Sequence, residues 1–137
     1  MSPKPTEPAG VGSFQNDDAG DWLDDLCVSD DASSLNFTLA LEPARVHADV
    51  GLSAEVIAAC ESVAALLGRP APELPAELTA WVRENTNLDA GRYRSRCITL
   101  LQSILEDGGA LAMLWGERDL LAEWKREVED VLQRIGR

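Results

Sequence analysis

Basic residues are scarce in this sequence. Twelve Lys and Arg stand against 24 Asp and Glu, a formal net charge of -12. A field of that sign repels phosphate backbones and anionic lipid headgroups. Direct nucleic-acid binding and adsorption to anionic membranes are therefore excluded, while metal ions and basic protein surfaces stay compatible. The same charge also keeps a small domain in solution, whatever it binds. Cysteine is sparse as well: Cys27, Cys60 and Cys97 are far apart, odd in number and form no C-x-x-C pair. That pattern excludes a disulfide scaffold and the common zinc sites, and predicts a reducing, cytoplasmic setting. Cys60 and Cys97 fall inside apolar helical patterns, where a buried thiol acts as a small hydrophobe. No apolar run approaches the length of a transmembrane helix. The opening Met1-Ser2-Pro3-Lys4-Pro5 has no apolar stretch behind it, so no signal peptide is expected.

The single histidine, His47, has Arg45 and Asp49 near it in sequence. A Ser–His–Asp or Cys–His pair could assemble across the fold, but no G-x-S-x-G context supports one. Neither a G-x-G-x-x-G after a strand nor a G-x-x-x-x-G-K-[ST] loop occurs, so no phosphate cradle is present. Accordingly, no catalytic, cofactor-binding or metal-ligating residue is assigned, and no cofactor is expected.

At 137 residues and 45% hydrophobic, the chain is long and apolar enough for one domain with its own core. Four of its seven aromatics are Trp. Trp22, Trp81, Trp115 and Trp124 should anchor that core or an interface, since Trp buries the most area per residue.

Residues 1–13, broken by Pro3, Pro5, Pro8, Gly10 and Gly12, read as a flexible arm, and 14–137 as a single helical domain. A helix is predicted over 17–28. Asn16 caps it, Asp17 and Asp18 complement its dipole, and Phe14 staples its first turn. Residues 30–42 fit either a helix capped by Asp31 or Ser33 or an extended segment, and 43–52 read as a loop. Ser53 is the expected cap of the next helix, which carries Val56, Cys60, Val63 and Leu67 and stops at Gly68. Pro75 suits the first turn of a helix bearing Leu78, Trp81 and Val82, ending at Asn85 or Asn87. Asp89 caps a helix bearing Tyr93, Cys97, Leu100, Leu101 and Ile104, broken by Gly108 and Gly109. A short apolar turn or helix over 110–115 stops at Gly116. The last helix, over 118–135, repeats Leu121, Trp124, Val128, Val131 and Ile135 at spacings of three and four.

Helices this short are marginal alone, so their stripes must meet. The predicted fold is all-α, a compact single-domain bundle of about six or seven short helices. Its core comprises Trp22, Val56, Cys60, Val63, Leu67, Trp81, Cys97, Leu101, Ile104, Leu121, Trp124, Val128 and Val131.

The segment from Gly10 through Gly12, Phe14, Asn16, Asp17, Asp18, Ala19 and Asp21 to Trp22 resembles the opening signature of a bacterial family, the domain of unknown function numbered 4259. The alanine-rich stretch from Ala58 to Pro70, the Leu74-Pro75…Trp81 segment, Leu114-Trp115 and the Trp124-bearing helix resemble it too. The likeness spans about residues 10–135. One departure is Ala9, where members usually carry a Trp before the first motif glycine. The resemblance implies a small bacterial helical protein and no particular activity.

The most unusual surface is acidic. Asp17 and Asp21 are four apart, and Asp24 and Asp25 follow Asp21 by three and four, so they share a helix face, with Asp18 to the side. Like charges so placed repel, and a cation or a basic protein would relieve them. An EF-hand is excluded, because acids at alternate positions, the turn glycine and the terminal Glu are missing. Arg92, Arg94 and Arg96 oppose the dipole of their helix and are expected to pair with the acidic helix or a partner. The reading favours a non-enzymatic protein-interaction module whose partner is a basic protein. An immunity protein neutralising a toxin is its concrete version by analogy. The alternative is a divalent-metal-dependent or small-ligand-binding enzyme on the acidic helix.

Overall fold

The structure, a computed structural model, describes residues 10–29 and 31–136. Of the expected arm, residues 1–9 lie outside the described residues. Within residues 10–13, Val11 is half-buried against the helical core.

α1 spans Asp17–Ser29. Its start follows from Asn16, whose side-chain oxygen accepts the Ala19 N–H at 2.8 Å. Ala19, Trp22, Leu23 and Leu26 form its buried stripe, and Phe14 is half-buried against the core. Of the two alternatives for residues 30–42, the helix forms: α2 is Ser33–Leu39. The Asp31 carboxylate accepts both the Ser33 N–H and its hydroxyl, and those bonds hold its pKa below the ordinary value. Trp22 Nε1 donates to Thr38 Oγ1 at 2.8 Å in a buried bond, fixing α2 against α1.

The expected loop over 43–52 is instead helical. Pro43 opens α3, Pro43–His47, because a proline at the first helical position loses no hydrogen bond. α4 then runs Val50–Leu66, capped by Asp49, whose carboxylate accepts the Leu52 N–H at 2.9 Å. Ser53, the expected cap, is buried in the first turn and donates to the Val46 carbonyl at 2.6 Å, clasping α3 to α4.

α4 is buried on all sides: twelve of its seventeen residues are inaccessible, so it is the axis of the fold and not an edge helix with one stripe. Its Ala, Ser and Cys side chains are small, which lets every other helix approach it. These are α5 (Ala76–Glu84), α6 (Arg94–Leu105), α7 (Ala110–Glu117) and α8 (Leu121–Gly136), together with α1, α2 and α3. Among the described residues there are thus eight α-helices, one 3-10 turn (Ala90–Tyr93) and no strand. Asp89 precedes that 3-10 turn and makes no side-chain cap, and α6 proper begins at Arg94. Gly68 and Gly108 take φ of 86° and 80°, ending α4 and breaking α6 from α7. Asn85 ends α5, its amide donating to the Trp81 carbonyl. Gly116 does not stop α7, which continues to Glu117 before Asp119 turns the chain at φ 59°.

The expected core is buried, with two corrections. Leu67 and Leu121 are half-buried at its edge, since one is the C-cap of α4 and the other the first residue of α8. No single helix among the described residues is long and apolar enough to cross a membrane.

Candidate functional site

The five aspartates of α1 are all exposed. Among the described residues none of them meets a Lys or Arg in an ion pair. At 100° per residue, Asp17, Asp21 and Asp24 face outward, while Asp18 and Asp25 flank the buried stripe. On that flank stands Glu55 of α4. Burial first, then the fields of Asp18, Asp49 and Asp25, push its carboxyl above the ordinary glutamate range. Large apolar side chains lie exposed nearby, Val28 of α1 at 85% and Phe37 of α2 at 75%. Trp22, Asp25, Ser34, Phe37, Thr38 and Glu55 enclose an open cleft of about 430 Å³ between α1, α2 and α4.

The glycine-bearing loop leads into this helix through a compact turn. Gly12 N–H donates to Gln15 Oε1 at 2.9 Å, and Gln15 N–H returns to the Gly12 carbonyl at 3.1 Å. A Cβ on Gly10 or Gly12 would sit 2.5 or 2.7 Å from that same Gln15 oxygen, so both positions fit only as glycine with this Gln15 rotamer. Ser13 then reaches inward, donating to Glu61 Oε2 at 2.9 Å.

Glu61 is 3% exposed on α4. Its Oε1 lies 2.8 Å from Arg134 Nη1, an ion pair. The same Nη1 donates to the Arg69 carbonyl at 3.1 Å, and Arg69 in turn donates to the Arg134 carbonyl at 2.8 Å. Arg134 Nε donates to Asp130 at 2.8 Å. Burial works against the charge on Arg134, but Glu61 and then Asp130 outweigh it and hold its pKa above the usual value. Beside this network Glu127 is raised by burial, then by Asp130 and Glu61. The cleft of about 520 Å³ that Glu61, Glu73 and Glu127 share with loop residues 11–15 is therefore acid-walled, and its deepest carboxylate is already neutralised. This anchor was not anticipated from sequence. The signal for it was a glutamate lying between Cys60 and Val63 on an apolar row.

The remaining candidates separate. His47 Nε2 lies 3.3 Å from the Asp107 carbonyl, at the turn between α6 and α7, while the Asp49 carboxylate caps α4, so the two form no catalytic pair. Cys60 and Cys97 are fully buried free thiols; burial first, then Cys97, pushes the Cys60 pKa up, which makes it unreactive. Arg92, Arg94 and Arg96 do not reach α1. Arg96 binds the Leu39 and Leu41 carbonyls at 2.7 Å, closing the C-terminus of α2, and Arg92 lies over the Tyr93 ring. Among the described residues, no three His, Cys, Asp or Glu side chains converge as metal ligands.

These features define a small all-helical domain strung around one buried helix, with a glycine-bearing loop latched ahead of an acidic, capped helix. The model of the family described as Domain of unknown function (DUF4259) matches residues 9–127, and the chain belongs to that family. The match takes in the loop, α1 and the axial helix. No curated protein and no solved structure matches the chain.

Proposed function

We propose that this protein is a non-enzymatic interaction module that holds a basic protein partner against α1, in a reducing bacterial cytoplasm. One observation carries the reading: the exposed carboxylates of Asp17, Asp21, Asp24 and Asp25 crowd one helix with no internal counter-charge among the described residues, next to exposed Val28 and Phe37. Such a surface costs the free protein repulsion that a cationic partner removes, and it steers that partner from a distance. Neutralisation of a basic toxin, in the manner of an immunity protein, is the form that analogy suggests. Nucleic acid and membranes are not expected partners.

The test is capture of basic proteins by the immobilised wild type and by an Asp21→Asn/Asp24→Asn/Asp25→Asn variant, at low and high salt. Binding should weaken with salt and be lost in the variant; equal capture by the variant defeats the reading. The other reading is a divalent-metal-dependent or small-ligand enzyme using Asp21, Asp24 or Asp25; among the described residues those carboxylates do not converge with further metal ligands.

A further inference from the structure

We propose that the cleft between α1, α2 and α4 is a subsite for one arginine or lysine side chain of the partner, held by the Phe37 ring and the Asp25 and Glu55 carboxylates. The inference rests on the reading of a basic partner and assigns the place and chemistry of its principal contact.

Three properties of the cleft select a cation with an apolar stem. First, the charged groups that line it are all carboxylates. Asp25 and Glu55 line it, no Lys or Arg does, and neither acid is in an ion pair among the described residues. An anion entering here would meet Asp18, Asp25, Asp49 and Glu55 together. Second, it is lined by a phenyl ring three-quarters exposed, on a helix otherwise turned inward through Leu35, Thr38 and Leu39. An aromatic face attracts an ammonium or guanidinium, and a methylene stem covers the ring while the charged head reaches the carboxylates. Third, the floor is fixed before any ligand arrives. Trp22 is 5% exposed, and its indole N–H is already held by Thr38, so neither can turn away. A purely apolar ligand would strip water from two carboxylates and give nothing back. The half-buried Glu55, in a field of its own sign, is the group that gains most when a positive charge arrives.

Nuclear magnetic resonance titration with two probes tests this. One is the capped peptide Gly-Ser-Arg-Ser-Gly, with its citrulline counterpart as the uncharged isostere; the other is hexa-arginine at low salt. The arginine pentapeptide should shift the Ser34, Phe37 and Thr38 amides and the Trp22 indole N–H, and the citrulline peptide should not. Phe37→Ala and Glu55→Gln should each weaken hexa-arginine binding by about two- to fivefold, the range for an exposed cation–π contact or ion pair. Glu55→Gln should also melt no lower than wild type, showing that the weakening is not loss of fold. Equal shifts with citrulline overturn the subsite. So does hexa-arginine binding that both variants keep in full, with shifts confined to Asp17, Asp21 and Asp24; that outcome leaves the acidic face standing. Hexa-arginine that shifts nothing overturns the subsite and the basic-partner reading together.

Discussion

Glu61 and Arg134 carry opposite charges into a place where neither could stay alone. A buried ion pair of this kind gives little net stability compared with apolar residues of the same shape, but breaking it strands a charge. Arg134→Ala should therefore lower the unfolding free energy by about 3 to 5 kcal/mol, read as a fall in urea midpoint at unchanged slope. Ser13→Ala removes only the loop's bond to that carboxylate and should cost less, about 1.5 to 3 kcal/mol, with faster amide exchange over residues 10–15. The helix start at Asn16 was legible from sequence because a cap is a local event: one side-chain oxygen and an N–H three residues on. The Glu61 pair was not, because nothing local links positions 61 and 134, and a lone acid in an apolar row reads as noise until its partner is known. The acidic face was legible as a pattern. The cleft beside it was not, since it needs Phe37 from α2 and Glu55 from α4 to stand against α1.

Helices were legible wherever the apolar residues kept to one stripe with polar residues opposite, as in α1, α6 and α8. α4 was found but its start misplaced by four residues, because Gly51 near its start reads as loop and Ser53 as cap, while Asp49 takes the cap with a real hydrogen bond. α3 went unseen because Pro43 serves a helix start as readily as a helix stop. Within α1, Gly20 is a weak point with nothing within 4 Å of where a Cβ would go. Gly20→Ala should raise stability by about 0.5 to 1 kcal/mol, measured by thermal or urea unfolding, because alanine loses less backbone freedom on folding. Unchanged or lower stability would mean that the surface around Gly20 is occupied.

For the molecule as a whole, charge sets the response to pH. Folded Glu55 and Glu127 keep their protons to a higher pH than the ordinary 4.5. Between 4.5 and their raised pKa the folded chain binds more protons than the unfolded chain. Stability therefore rises as pH falls through that window and is lost as pH climbs out of it. Asp31, depressed by Ser33, acts in the opposite sense, its contribution fading as pH drops below 3.8. The melting temperature should climb as the pH is lowered from neutrality towards 4.5, and a Glu55→Gln/Glu127→Gln variant should show a flatter climb. Added Ca²⁺, Mg²⁺ or Mn²⁺ at millimolar level should shift the melt no more than matched ionic strength does, since a native-state ligand would raise it further.

The latch from Ser13 through Glu61 to Arg134 also imposes an order of events on a chain made from one end. The loop emerges first, the carboxylate that receives it later, and the guanidinium that makes that carboxylate tolerable in the interior later still, with 121 positions separating Ser13 from Arg134. Contacts so distant along the chain form late. A nascent chain that stalls before α8 would hold, beneath its glycine-bearing loop, an acid it cannot bury.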